Sequence, residues 1–128
     1  MPVAGVDVPA SGPYDIVFDT RSAGQAGPFT FRYWVNDVTP PKLRVSVKRR
    51  TIVVSATDGG SGVDPATLVV TLDGRSVPTH GTAGLSIKAT KGRHKLVVSA
   101  ADYQEAKNME NVPPILPNTA TLRVTVVV

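Results

Sequence analysis

The acidic residues are the side chains of this chain whose types and spacing could do chemistry. Of ten Asp and Glu residues, six fall beside predicted strand ends that share one end of the fold: Asp37, Asp58, Asp64, Asp102, Glu105 and Glu110. Carboxylates gathered from separate loops repel one another unless a cation or hydrogen bonds offset the repulsion. A hard ion such as Ca2+, which takes several oxygen ligands, would do so. Alternatively, the Asp side chains bond loop N–H groups in Asx turns, and the sequence leaves both possibilities open.

The remaining reactive residues do not form a catalytic set. His80 and His94 fall at opposite ends of the predicted fold, so neither provides a base for a nearby nucleophile. Ser61 lies between two glycines but lacks the Gly-x-Ser-x-Gly elbow, and no His pair has zinc spacing. The absence of cysteine excludes disulfides and thiolate metal sites. We therefore expect that this chain is not an enzyme.

The basic residues collect at the other end of the predicted fold, where they are Lys48, Arg49, Arg50, Arg75, Lys91 and Arg93. They could meet an acidic polymer or a neighbouring module, or they could form a solvated edge that discourages strand-to-strand aggregation. We expect no nucleic-acid partner, because basic residues are not interleaved with aromatic ones and no helix is predicted to enter a groove. We expect no membrane insertion, because no apolar run approaches the roughly 18 residues of a transmembrane helix.

The elements that must position these residues are strands. Valine and threonine are abundant, and Gly and Pro contribute 11 residues each, which is typical of an all-β protein with many turns. Residues 42–128 alternate apolar and polar side chains in seven short runs, and Asp73-Gly74 is a strong hairpin signal. This pattern predicts a seven-stranded antiparallel β-sandwich of the immunoglobulin-like (Ig-like) class.

The first 36 residues are too few for a domain of their own. Residues 14–19 and 29–35 predict a β-hairpin extension, which is marginal when isolated. It is therefore the tail of a preceding module or a segment docked on the sandwich. Residues 37–41 form a stiff linker, because Pro40 and Pro41 remove two backbone donors and exclude helix. The predicted organisation is 1–36, 37–41 and 42–128.

The long loop predicted over residues 102–118 is a second candidate site, since long loops in compact domains often have a function. A glycan or a protein could bind there through Tyr103, Glu105, Asn108, Met109 and Glu110. The alternative is that the apolar residues near the end of the loop, Ile115 and Leu116, simply cover the end of the core.

Three segments resemble a known family. They are Asn36-Asp37-Val38-Thr39-Pro40-Pro41, the run from Ala56 to Pro65, and Ala100-Ala101-Asp102. They resemble bacterial Ig-like repeats appended to secreted subtilisin-like and other extracellular proteins, and are similar to cadherin repeats that bind calcium between modules. The resemblance implies a secreted or cell-surface accessory module that acts as a spacer or docking domain, with neighbouring domains of the same chain as partners. It also implies Asn36, Asp37, Asp58 and Asp102 as candidate Ca2+ ligands.

Overall fold

The computed structural model describes residues 11–35, 37–106 and 118–128, apart from the side chains of residues 105 and 106. The chain divides into two compact units, Met1–Tyr33 and Trp34–Val128. The segment expected to be a separate linker therefore belongs to the second unit. Among the described residues, no helix is long and apolar enough to cross a membrane.

The second unit is all-β and contains two antiparallel sheets, as the alternation predicts. Its described strands are β1 (Lys42–Lys48), β2 (Thr51–Thr57), β3 (Val69–Leu72), β4 (Arg75–Val77), β5 (Gly84–Lys88), β6 (Arg93–Ala101) and β7 (Thr119–Val127). One sheet has the order β1-β2-β5 and the other the order β4-β3-β6-β7. A 3-10 helix, Pro65–Thr67, and a short helical turn, α1 (Tyr103–Ala106), lie in connections between strands.

The core lies between the two sheets and is built from alternate residues of their central strands. Strand β2 buries Ile52 and Val54 there, and β6 buries Leu96 and Val98. Successive side chains of a strand point to opposite faces, so the apolar residues at every second position form the buried face. Each such side chain contributes about 1.5–3 kcal/mol when it is fully removed from water. Burial of these apolar faces is therefore the main force that holds the loops at each end in place.

The turns at one end of this sandwich differ in their chemistry. Asp73 and Gly74 join β3 to β4 with φ values of 51° and 78°, and a two-residue turn with both φ values positive is the kind that Asp-Gly favours. The β1–β2 turn is Arg49-Arg50, in which Arg49 has a φ of 56°. Lys91 and Gly92 lie on a connection that crosses from β5 in one sheet to β6 in the other.

The described part of the first unit does not form the predicted hairpin. Residues 11–35 contain no strand, and their regular structure is a 3-10 helix, Ala23–Gln25. The two predicted strand segments meet through aromatic rings instead, since the ring centroid of Phe18 is 4.8 Å from those of both Phe29 and Phe31. Two strands without a third strand or a covering element gain too little burial to stabilise a ladder, which accounts for the difference.

Candidate functional site

Strand pairing brings three acidic segments to one end of the sandwich. Lys42 at the start of β1 pairs with Thr57 at the end of β2, so the linker that precedes β1 lies beside the loop that begins with Asp58. Asp102, which follows β6, forms an isolated bridge with Val63 in that same loop. The linker, the 58–64 loop and the end of β6 therefore converge.

The carboxylates of Asp37, Asp58 and Asp102 meet at this point, with one oxygen of each lying within 4.8 Å of the others. Asp37 and Asp102 are only 6% and 0% exposed, whereas Asp58 is half-buried. We call these three residues the acidic cluster. All three were predicted as candidate ligands at this end of the fold.

Two other predicted ligands lie outside this cluster or outside the described residues. The Oδ1 atom of Asp64 accepts a hydrogen bond from the Ala66 N–H at 3.0 Å and caps the 3-10 helix that begins at Pro65. An Asp before proline at a helix start commonly serves as the N-cap, which accounts for this bond. Asn36 lies outside the described residues.

Asp37 fastens the linker to three other segments of the second unit. Its Oδ2 accepts from the Ser61 N–H at 2.6 Å, and its Oδ1 accepts from the Thr39 N–H at 3.0 Å. Its backbone N–H donates to Oε1 of Gln104, and its carbonyl accepts from Nδ2 of Asn118. We call these hydrogen bonds the Asp37 latch, because they fix one linker residue to the 58–64 loop, to α1 and to the start of β7.

The electrostatics of Asp37 favour an ionised carboxylate despite its burial. Burial raises the pKa of Asp37, but hydrogen bonds from the Ser61 and Thr39 N–H groups and from the Ser61 side chain outweigh that effect. The pKa of Asp37 therefore lies below its ordinary value of 3.8. A carboxylate that accepts several N–H groups holds its negative charge in the protein interior.

Asp58 shows the Asx-turn geometry that the sequence offered as the alternative to a metal ligand. Its Oδ2 accepts from the Gly60 N–H at 2.9 Å and from the Gly62 N–H at 2.8 Å. These bonds use one oxygen of the carboxylate, and each carboxylate oxygen has more than one acceptor position. Asp58 also lines an open cleft of about 360 Å³ beside Asp37, Thr39 and Lys42. The loop geometry thus gives Asp58 a structural role and leaves it accessible from solvent.

Gly60 is needed for the close approach of the linker. A Cβ atom built on Gly60 would overlap the carboxylate of Asp37, whereas one built on Gly59 would meet nothing within 4 Å. The sequence motif Gly59-Gly60 does not distinguish the two positions. Only the approach of Asp37 from a segment distant in sequence makes one glycine essential and leaves the other replaceable.

Gln104 and Trp34 complete the attachment of the linker, and sequence reasoning did not identify either. Oε1 of the buried Gln104 accepts from Trp34 Nε1 at 3.1 Å as well as from the Asp37 N–H. The Trp34 ring lies against Tyr103, with 6.5 Å between ring centroids. Tyr103, predicted as part of a binding loop, therefore packs against Trp34, three residues before the linker. Of the other residues predicted there, Asn108, Met109 and Glu110 and the side chain of Glu105 lie outside the described residues.

Searches against protein-family models, curated proteins and solved structures found no match to this chain. The latch, the acidic cluster and the fold that positions them are therefore the features that bear on function.

Proposed function

We propose that this chain is a non-catalytic, extracellular Ig-like module that acts as a spacer or docking domain within a larger secreted or surface protein. The observation that carries the proposal is the Asp37 latch. A linker that only connected two bodies would need no buried carboxylate, whereas this one is bonded to three separate segments. Such bonding fixes the direction in which the chain leaves the sandwich, which is what a spacer requires.

The topology supports the Ig-like assignment. Taking β1, β2 and β5 as strands A, B and E, and β3, β6 and β7 as C, F and G, the observed order places A-B-E in one sheet and C-F-G in the other. The short β4 then lies beside C, in the position of the additional strand of variable-type Ig domains. The sites of such domains belong to their loops, and here the loops at one end bind their own linker.

The energetics of the latch are consistent with a joint of fixed geometry. Ordering the backbone of one residue costs about 1–2 kcal/mol, and a hydrogen bond to a charged group returns about 1.5–3 kcal/mol. Asp37 accepts two such bonds through its carboxylate and makes two more through its backbone. The free energy gained from these hydrogen bonds therefore exceeds the free-energy cost of ordering the Asp37 backbone, and the difference helps to order the residues next to it.

A test of the fixed linker uses Trp34, the only tryptophan of the chain. Gln104→Ala removes the acceptor shared by Trp34 Nε1 and the Asp37 N–H, so we expect a red-shifted Trp34 emission and faster quenching by acrylamide in a protein that remains folded. Gln25→Ala, in the exposed 3-10 helix of the first unit, is the matched control and should leave both signals unchanged. Unchanged emission and quenching in Gln104→Ala would show that the linker is not held and would overturn the proposal.

We further propose that the acidic cluster binds Ca2+ and so stiffens the same joint. The donor set fits, because three carboxylates supply hard oxygen ligands and Asp58 is open to a cleft. Asp37, Asp58 and Asp102 would hold the ion, and its positive charge would offset the repulsion between the three carboxylates. We expect calcium to raise the melting temperature of the chain and Asp58→Ala to remove that rise.

A further inference from the structure

We propose that the end of the sandwich opposite the Asp37 latch binds an acidic polysaccharide through the Arg49-Arg50 turn and the cations beside it. This surface is separate from the acidic cluster, and the inference goes beyond the spacer function. It rests on the arrangement of the turns, on the finding that no described carboxylate lies within ion-pair distance of these cations, and on the unusual residues of one turn.

Hydrogen bonds connect the three turns of this end into one continuous surface. The carbonyl of Arg50 accepts from the Ala89 N–H at 3.0 Å, which joins the β1–β2 turn to the end of β5. His94 then joins the β5–β6 connection to the β3–β4 turn, because Nε2 lies 2.9 Å from the Thr90 carbonyl and Nδ1 lies 2.8 Å from Oδ2 of Asp73. The exposed cations on these turns and the adjoining strand ends include Lys48, Arg49, Arg50, Arg75, Lys91 and Arg93.

Within the described part of the chain, the positive charge of this end is only partly neutralised. None of the six cations lies within ion-pair distance of a described carboxylate. The carboxylate present there, that of Asp73, is already bonded to His94 and to the Lys95 N–H at 2.8 Å. Asp73 offsets part of this charge through its electrostatic attraction to Arg75, and the remaining cations repel one another and attract a multivalent anion.

The β1–β2 turn carries arginine where turn chemistry favours glycine. A two-residue hairpin turn with a positive φ at its first central position is normally occupied there by Gly, Asn or Asp, yet Arg49 has a φ of 56°. The β3–β4 turn at the same end has the favoured Asp-Gly pair. Adjacent arginines in a strained turn are unfavourable for folding, and a local rule broken without a structural gain indicates a role in recognition.

The chemistry of this surface fits a polymer that bears acidic groups and no bases. The planar guanidinium fork matches the oxygens of carboxylate and sulfate groups. Every Phe, Tyr and Trp of the chain lies outside residues 42–101, so the three turns provide no aromatic platform on which nucleobases could stack. An acidic polysaccharide satisfies the charges without requiring such a platform.

The test compares two double variants that each remove two positive charges. Arg49→Gly with Arg50→Ser changes the turn, and Arg44→Ser with Arg123→Thr removes exposed arginines from the middle of β1 and β7. With heparin as the probe and calorimetry at fixed salt, we expect the turn variant to bind about tenfold more weakly. It makes fewer contacts with the polyanion, so its binding releases fewer counterions. The strand variant should bind within about threefold of the original chain, because its charges lie outside the surface.

Three outcomes would overturn the proposal. Equal losses in the two variants would show that heparin responds to net charge alone. Tighter binding of single-stranded poly(dT), or of vesicles containing an anionic lipid, would assign the surface to a different partner.

The turn variant is expected to melt no lower than the original chain, because Gly fits a φ of 56°. Were it to unfold, Arg75→Ser with Lys91→Ser removes two cations of the same surface outside that turn and should weaken heparin binding similarly.

Discussion

At the scale of single residues, the contact between Asp37 and Gly60 sets the position of the linker. The Asp37 carboxylate lies directly against the Cα of Gly60, and the N–H of the next residue, Ser61, donates to Asp37 Oδ2. A side chain at position 60 would push the carboxylate away from that N–H and leave buried polar groups without their bonds.

We therefore expect Gly60→Ala to lower the free energy of unfolding by about 1–3 kcal/mol, the cost of a lost hydrogen bond in a buried site. Urea unfolding monitored by far-UV circular dichroism measures this change. Gly59→Ala is the matched control, since a Cβ there meets no atom within 4 Å, and it should change stability by no more than about 0.5 kcal/mol. Equal effects of the two substitutions would mean that the Asp37 carboxylate does not occupy this position.

The acidic cluster could be predicted from the sequence, and its amide partners could not. The alternating direction of antiparallel strands places Asp37, Asp58 and Asp102 at one end, because the chain returns to the same end after every second strand. Gln104 and Asn118 carry no comparable signal. Their roles depend on side-chain amides that meet a linker backbone more than sixty residues away, an encounter set by loop conformation and not by periodicity.

At the scale of elements, His94 joins the β3–β4 hairpin to the β5–β6 connection. Both of its ring nitrogens face acceptors, the Asp73 carboxylate and the Thr90 carbonyl, and only the doubly protonated ring can donate to both. The bond to Asp73 raises the pKa of His94 above 6.5, and the bond from His94 holds the pKa of Asp73 below 3.8.

These shifts define a pH window for the stability that the pair provides. The contribution of His94 is complete below about pH 6.5 and is lost as pH rises through its higher folded-state pKa. The contribution of Asp73 is present above about pH 3.8 and is lost as pH falls through its lower folded-state pKa. We expect the free energy of unfolding to fall as pH rises above about 6.5, and His94→Gln to remove that dependence.

Urea unfolding over a pH series measures this effect, and His80→Asn provides its control. His80 is the other histidine of the chain, and asparagine tolerates its φ of 52°. The control should retain the pH dependence of the original chain. If His94→Gln retained it as well, the dependence would arise elsewhere and the contact with Asp73 would make no measurable contribution to stability.

The all-β, two-sheet character of the second unit could be predicted from the sequence, whereas the predicted hairpin of the first unit was wrong for the described residues. In β2 and β6, the apolar residues at every second position face the opposing sheet and are buried, as the alternation predicts. In residues 14–19 and 29–35 the apolar residues also alternate, but Phe18, Phe29 and Phe31 remain at least half exposed. Alternation predicts a strand only where a second layer covers one of its faces.

At the scale of the whole molecule, calcium binding would couple the linker to the stability of the sandwich. A cation held by Asp37, Asp58 and Asp102 would join the linker, the 58–64 loop and the end of β6, so the ion would bind the folded state and not the unfolded chain. Calcium at a hundred times its dissociation constant then stabilises the fold by about 2.7 kcal/mol. For a domain of this size, that corresponds to a rise of several degrees in melting temperature.

Melting the full chain in millimolar calcium and again with a chelator tests this coupling. Asp58→Ala should abolish the rise, and Asp15→Ala, which removes the same charge from an exposed position in the first unit, should preserve it. Magnesium should give a smaller rise, because its strict octahedral geometry suits a cluster already bonded to loop N–H groups less well than calcium's flexible one. A chain whose melting temperature is the same in calcium and chelator would assign the three carboxylates entirely to the latch and the Asx turn. The joint would then be held by hydrogen bonds alone, and Asp58→Ala would destabilise the protein equally under both conditions.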